Sequence, residues 1–184
     1  MVKTFSILGF VALSALSAAI PTPEAEPETA LIHTDFSFAK WVDSIIADPK
    51  HALTPEQALA AANASISSGG LEKRQTFENC RQLGNPAKVP EAVWCINYLA
   101  SQGANGQNCP VTCTATAVCT WYQARIHTQG PSSPTCDTSY INCNQVARAA
   151  GVIMDNCWRA DQTVAGRAWA PAPDERVLVH LSGP

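Results

Sequence analysis

The sequence predicts an α+β protein: a small disulfide-stapled sandwich of an antiparallel sheet and two helices, preceded by a helical propeptide. Two observations carry this expectation. All eight cysteines follow the dibasic pair Lys73-Arg74. After that pair, the hydrophobic patterns come in the order helix, strand, helix and two strands. The chain therefore divides into an N-terminal part without cysteine and a cysteine-rich C-terminal domain.

Residues 1–19, "MVKTFSILGFVALSALSAA", have the three parts of a signal peptide. Lys3 supplies the positive charge, residues 5–16 form an apolar run, and residues 17–19 are small enough for signal peptidase. The apolar run is shorter than the roughly 18 residues that a membrane-spanning helix needs. We therefore expect a secreted, extracellular product that does not insert into membranes.

Residues 20–74 are predicted to be a propeptide. A spacer rich in proline and glutamate is followed by "FSFAKWVDSIIAD", whose apolar residues form one stripe of a helix. A second helix is predicted in "TPEQALAAANAS", where Thr54 and Gln57 make a capping box and Pro55 fits the first helical position. The only N-x-Ser/Thr sequon of the chain, at Asn63, makes that residue a candidate glycosylation site.

The propeptide is predicted to end at Lys73-Arg74. Gly69 and Gly70 precede the pair, and flexible, exposed backbone is where proteases cut. A dibasic pair at this place is typical of a kexin-type processing site, so we expect a kexin-type protease as the maturation partner. Gln75 would then be the new N-terminus and could cyclise to pyroglutamate. The mature domain is thus predicted to be residues 75–184.

The mature domain has seven basic and seven acidic side chains, so its formal charge is zero. This balance argues against nucleic acid and anionic membranes as partners, since both attract a basic excess. A domain of this size buries a modest core, and an exported chain meets oxidising conditions, so four disulfides are expected. The cysteines are Cys80, Cys95, Cys109, Cys113, Cys119, Cys136, Cys143 and Cys157.

A zinc site is disfavoured because the domain has no CxxC pair and only His127 and His180 could assist. We expect no metal and no other cofactor. The eight cysteines allow about a hundred disulfide pairings, and the sequence does not choose among them. One pairing is excluded, because Cys143 and Cys157 lie on the same helix. At about 1.5 Å per residue they are roughly 21 Å apart, whereas a disulfide needs Cα atoms about 5.5 Å apart.

The other elements of the mature domain are shorter. "VPEAVWCINYLASQG" predicts a first helix that contains Cys95. "AVCTWYQARIHT" alternates and predicts one strand, with Cys119, Trp121, Arg125 and His127 on the same face. "TVAGRAWA" and "RVLVHLSG" flank a proline-rich turn and predict a hairpin. Its inward-facing side chains are expected to be Val177, Val179 and Leu181.

The mature domain contains none of the common catalytic motifs: no G-x-S-x-G, no H-E-x-x-H and no phosphate-binding glycine loop. His127 and His180 fall on the polar faces of predicted strands, where solvent-facing residues are commoner than catalytic bases. The new N-terminus is glutamine rather than histidine, which gives no support to a copper oxygenase. We therefore expect a protein without enzymatic activity; an extracellular hydrolase is the minor alternative.

Tryptophan is the residue type that most suggests a recognition surface here, because aromatic side chains dominate binding hot spots and sugar-contacting platforms. Trp94 and Trp158 are predicted to fill the core. The candidate binding surface comprises Trp121, Arg125, His127 and Trp169.

The strand "AVCTWYQARI", the helix that ends in "DNCWRADQTVAGRA" and the terminal strand "RVLVHLSG" follow one another over residues 117–182. This order resembles the α/β sandwich of fungal killer-toxin-like and necrosis-inducing effector domains. The precursor as a whole resembles the kexin-processed cysteine-rich effectors of filamentous fungi. The resemblance implies the fold class and a role as a secreted effector, and it transfers no functional residue.

The leading hypothesis is therefore a secreted fungal effector, a virulence-associated binding protein that acts on a host plant. Its partner is expected to be a host or microbial protein or glycan. A killer-type toxin against competing microbes and an inhibitor of host hydrolases are the alternatives.

The maturation hypothesis makes a direct prediction about mass. The intact secreted product should begin at Gln75 and be lighter than its reduced form by eight hydrogen atoms, one for each cysteine. Mass spectrometry of the secreted form, before and after reduction, measures both quantities. Free thiols, or a product that retains residues 54–74, would contradict it.

Overall fold

The computed structural model describes residues 36–65, 80, 84–132, 134–171, 173 and 176–184. The predicted signal peptide, residues 1–19, lies outside the described residues. So do Lys73, Arg74 and Gln75 of the predicted processing site.

In the described part of the chain, four α-helices run over Phe38–Ala47 (α1), Pro55–Ser65 (α2), Val89–Ala104 (α3) and Cys143–Cys157 (α4). All four were predicted, α2 from its capping signals and the other three from the spacing of their apolar residues. The capping box of α2 is confirmed: the Thr54 backbone N–H donates to Gln57 Oε1 over 2.9 Å, and the Gln57 N–H donates to Thr54 Oγ1 over 3.3 Å.

The strands are Ala87–Lys88 (β1), Asn108–Val111 (β2), Thr116–Trp121 (β3), Ala124–Gln129 (β4), Ser139–Asn142 (β5), Thr163–Val164 (β6), Gly166–Trp169 (β7) and Leu178–Ser182 (β8). The main sheet has four strands in the order β3-β4-β8-β7, and all its neighbours are antiparallel. Two short pairs, β1-β6 and β2-β5, are antiparallel as well. The predicted C-terminal hairpin is confirmed as β7-β8.

The prediction of one strand over residues 117–128 was wrong, because the chain reverses within it. β3 ends at Trp121 and β4 begins at Ala124, and the two strands pair as a hairpin. Tyr122, in the turn, has a φ of +46°, in the left-handed region that a residue with a side chain seldom adopts. The turn has no glycine and no Asn-Gly pair, the residues typical of a tight hairpin. The alternation of apolar and polar residues therefore suggested one continuous strand.

The core lies between the main sheet and the pair α3 and α4, as the predicted sandwich requires. Ile126 of β4 and Val179 and Leu181 of β8 are buried beneath the helices, and Val177 just before β8 is buried too. On the helices, Ile96 of α3 and Met154 of α4 belong to the same cluster, as does Trp158, which is 1% exposed. The prediction that Trp158 fills the core is confirmed.

All eight cysteines are paired, as expected for the cysteine-rich domain. The disulfides are Cys80–Cys157, Cys95–Cys119, Cys109–Cys143 and Cys113–Cys136. Cys143 and Cys157 each bond to a cysteine outside α4, so the exclusion of a direct bond between them is confirmed. The helix is therefore anchored covalently at both ends.

The two helices from the predicted propeptide pack on the cysteine-rich domain. α1 contacts both α4 and α3, and α2 contacts α3. Phe38, Trp41, Val42 and Ile45 of α1 are buried in the same core cluster as the helices of the domain. The periodicity of the sequence predicted the apolar stripe of α1, and the structure shows that this stripe packs on α3 and α4.

No helix in the described ranges has the length and apolar character needed to cross a membrane.

Candidate functional site

Four aromatic side chains form one cluster on the surface, which we call the aromatic stack: Trp94, Tyr98, Trp121 and Tyr122. Trp94 stacks on Trp121 with ring centroids 4.1 Å apart, and on its own helix it stacks on Tyr98 at 5.5 Å. Tyr122 meets Trp121 edge to face, at a centroid distance of 5.0 Å. Offset-stacked and edge-to-face pairs are the arrangements that aromatic rings prefer.

A disulfide positions the two indoles of the aromatic stack. Cys95, next to Trp94 on α3, is bonded to Cys119 on β3. Trp121 lies two residues beyond Cys119, so its side chain points to the same face of the strand, toward α3. Tyr98 follows Trp94 by four residues, which places both rings on one face of the helix. The stack is therefore fixed where α3 crosses the end of β3.

The turn that carries Tyr122 is held by the first turn of α3. The backbone N–H of Gln123 donates to Glu91 Oε2 over 2.6 Å. This bond fixes the loop in which Tyr122 takes its positive φ. Backbone held in a sparsely populated conformation occurs often at ligand sites, since the surrounding structure must maintain it. The turn and the stack thus form one preorganised unit.

The aromatic stack is open to solvent. Tyr98 is 41% exposed, Trp121 is 37% exposed and Tyr122 is 77% exposed. A cleft of about 360 Å³ lies against it, lined by Pro55, Glu56, Pro90, Glu91, Trp94, Trp121 and Tyr122. Pro55 and Glu56 belong to α2, so one wall of the cleft comes from the predicted propeptide.

The chemistry of this cleft suits recognition. Indole and phenol rings offer large apolar faces at a small cost in side-chain entropy, while their polar atoms still hydrogen-bond. A carboxylate beside such rings accepts hydrogen bonds from a ligand. Glu91 of α3 and Glu56 of α2 are the carboxylates that line the cleft. Hydrogen bonds from the backbone and from Thr54 lower the pKa of Glu56, so this side chain stays ionised.

The other candidate residues lie on the opposite side of the sheet, which we call the outer sheet face. His127, His180 and Arg167 are in register across β4, β8 and β7. Trp169 lies two residues beyond Arg167, on the same face of β7, and pairs with Leu178; its side chain is 59% exposed. Among the described strand positions of this face, the ionisable side chains are arginines and histidines, without a carboxylate.

Both histidines of the outer sheet face are half-buried, and each has an arginine nearby. Burial lowers the pKa of His127 below its ordinary value of 6.5, and the charge of Arg125 lowers it further. Burial also lowers the pKa of His180, with additional contributions from Arg167 and from His127. A hydrogen bond of 3.2 Å joins His180 Nε2 to Gln129 Oε1. The fold therefore favours the neutral imidazoles.

The structure divides the predicted binding surface into two parts. Arg125 and His127 share the outer sheet face, as alternation predicted, and the register of β7 with β8 places Trp169 on the same face. Trp121 does not join them, because the turn after it makes β3 a separate strand and directs the indole toward α3. Sequence reasoning missed Tyr98 and Tyr122, and it assigned Trp94 to the core, against which this side chain is only partly buried. The spacing of Trp94 and Tyr98 was a usable signal, whereas the approach of Trp121 depends on a disulfide pairing that the sequence leaves open.

The fold also places the candidate glycosylation site. Asn63, the candidate glycosylation site, lies on an exposed position of α2. Within the residues that the structure describes, no three His, Cys, Asp or Glu side chains are grouped so that they could hold a metal ion.

The stacking of Trp94 on Trp121 should be measurable as an interaction free energy between the two side chains. In a double-mutant cycle, Trp94→Ala and Trp121→Ala should show an interaction of about 1 kcal/mol, because stacked aromatic pairs stabilise beyond their buried area. Urea denaturation of the wild type, both single variants and the double variant measures it. Trp121→Ala with Trp169→Ala is the control, and these two should be additive within about 0.5 kcal/mol. Equal couplings in both cycles would contradict the stacking.

The two histidines should make stability depend on pH. Their folded-state pKa values are lowered, so the unfolded chain binds protons first as the pH falls below about 6.5. The stabilising contribution is complete above that pH and is lost as the pH falls through the folded-state values. The double variant with His127→Gln and His180→Gln should therefore lose less free energy of unfolding than the wild type when the pH falls from 7.5 to 5. Urea titrations at each pH measure this loss. An identical loss in both proteins would contradict this account.

The sequence places the chain in a family. No curated protein matches it significantly, and no solved structure does so either. The model of the family described as "Domain of unknown function (DUF8794)" matches residues 73–183, which is more than half of the 184-residue chain. The chain therefore belongs to the DUF8794 family.

Proposed function

We propose that this chain is the precursor of a secreted fungal effector, a non-enzymatic protein that binds a target in a host plant through the aromatic stack. The observation that carries the proposal is the geometry of that stack. Three nearly parallel rings and a fourth ring edge-on are fixed by the Cys95–Cys119 disulfide at the surface of a domain with four disulfides.

Secretion is supported by the signal-like N-terminus and by the disulfides. Disulfides persist in oxidising, extracellular environments and are rare where thiols are kept reduced. Maturation at Lys73-Arg74 is supported by the boundary of the family match, which begins at Lys73 and covers the cysteine-rich domain. These observations agree with the order of segments in the sequence: leader, propeptide and product.

Binding through the aromatic stack is supported by its composition and its rigidity. Tryptophan and tyrosine are the residue types most enriched in binding hot spots. A surface that is already ordered loses little conformational entropy when it binds, and this increases affinity. The stack has both properties, and Tyr122 projects furthest into solvent.

The test compares plants and microbes in parallel. The precursor is processed and oxidised, and the product is applied to leaf tissue and to a panel of competing fungi and bacteria. Cell death or altered immune signalling in leaves alone is the expected result. Growth arrest in microbes alone would replace the effector with a killer-type toxin, and inhibition of purified host hydrolases would replace it with an inhibitor.

One substitution assigns the response to the stack. Tyr122→Asn removes the ring, and asparagine tolerates the positive φ at this turn, so the fold should persist. We expect the leaf response to need about tenfold more of this variant. Tyr140→Asn removes another exposed ring, on β5, and should act like the wild type. Equal potency of all three proteins would contradict a role for the stack.

A further inference from the structure

The contact between α1 and the cysteine-rich domain has the features of a ligand in a groove. The apolar stripe of α1 is 0–3% exposed, and Phe38 lies against Trp158 with ring centroids 5.8 Å apart. α1 packs against both helices of the domain. Yet the chain that connects α1 to the domain contains the predicted processing site, so a single cut leaves this helix held by non-covalent contacts alone.

Asp155 of α4 recognises the N-terminus of α1. Its Oδ1 accepts the Phe38 N–H over 2.7 Å, and its Oδ2 accepts the Ala39 N–H over 3.1 Å and the Ser37 hydroxyl over 2.7 Å. The first N–H groups of a helix have no partner within the helix, and negative charge is favoured there. A carboxylate of the domain thus caps a helix of the propeptide, and it would cap any helix that began at the same place.

Two more residues of α4 complete the recognition. Gly151 lies at the closest approach, where an added Cβ would come within 2.9 Å of the backbone N and Cα of Ala39. Arg148 Nε donates to Asp43 Oδ1 over 2.7 Å. Arg148, Gly151 and Asp155 recur at helical spacing, so they form one stripe of α4, which we call the α4 stripe.

We propose that this groove, formed by α3, the α4 stripe and Trp158, is the mature domain's binding site for an amphipathic helix, and that α1 occupies it in the precursor. The proposal rests on the maturation step of the proposed function. Cleavage after Arg74 turns α1 from a part of the fold into an exchangeable ligand. The groove fits a helix that has an apolar stripe like that of α1 and a free N-terminal turn, which Asp155 would cap. That helix also needs a small residue opposite Gly151 and an acidic residue opposite Arg148.

The experiment measures exchange of the helix. The full precursor is cut by a purified kexin-type protease, and a fluorescent peptide of residues 36–54 is added in excess. We expect the cut precursor to take up the peptide and release its own propeptide, as followed by anisotropy and native mass spectrometry. The uncut precursor, whose α1 is tethered, should take up at least about tenfold less.

Four substitutions test the contacts. Phe38→Ala in the peptide should weaken binding about tenfold or more. Gly151→Ala in the domain should also weaken binding about tenfold, because the added methyl group would clash with the backbone of Ala39. Alanine has a higher helix propensity than glycine, so the substitution should not destabilise α4 itself. Asp43→Arg in the peptide should weaken binding about threefold, and Arg148→Glu in the domain should restore the affinity of that peptide.

Several results would overturn the proposal. The first is a cut precursor that does not exchange its propeptide. The second is peptide uptake that is changed neither by Gly151→Ala in the domain nor by the substitutions Asp43→Arg in the peptide and Arg148→Glu in the domain. The third is loss of the near-ultraviolet circular dichroism of the domain when the propeptide leaves, which would make α1 part of the fold rather than a ligand.

Failure of the maturation step is distinguishable from failure of the groove. If the kexin-type protease does not cut at Lys73-Arg74, the maturation hypothesis fails. The groove is then tested with a recognition site for an unrelated protease inserted between Ser68 and Gly69, under the same exchange protocol and with the same variants.

Discussion

The burial of α4 on two sides is the constraint on which the rest of the structure depends. One side packs on β7 and β8, and another carries the α4 stripe that contacts α1. Disulfides to Cys109 and Cys80 anchor the two ends. A helix held in this way cannot shift along its axis or rotate, so the sheet and α1 are both oriented by it. Small domains need such covalent restraints, because their cores alone contribute little stability.

The aromatic stack depends on a separate restraint, the Cys95–Cys119 disulfide. Trp94 and Trp121 come from elements of different type, and neither backbone places the two rings together by itself. The disulfide fixes α3 against β3 beside the rings, and the bond from Gln123 N–H to Glu91 fixes the turn beyond them. Binding residues are most effective when a second set of contacts locks their positions. The stack is therefore a property of the cross-linked fold.

Local features of this fold could be predicted from the sequence, and long-range ones could not. The four helices follow from apolar periodicity and from caps such as Thr54 with Gln57, which involve neighbours in the chain. The hairpin at Tyr122 was missed because a distant residue maintains the positive φ of its turn. Glu91, which accepts the hydrogen bond from the Gln123 N–H, lies 32 positions earlier in the chain. The aromatic stack and the seat of α1 depend on disulfide pairing and on helix packing. Both are contacts between segments whose proximity no local pattern encodes.

The energetics of α1 explain why a cut in the connecting chain matters. Full burial of four large apolar side chains stabilises by about 6–12 kcal/mol, at about 1.5–3 kcal/mol each. Free association costs an estimated 4–15 kcal/mol in lost translational, rotational and side-chain freedom. While the chain is continuous, most of that cost is absent, and α1 acts at an effective concentration on the order of millimolar. After cleavage the cost applies, and because the two quantities are of similar size, occupancy of the groove comes to depend on dilution. In the proposed maturation, a cleaved molecule concentrated inside the secretory pathway would keep its groove filled, and the same cleaved molecule diluted outside the cell would open it.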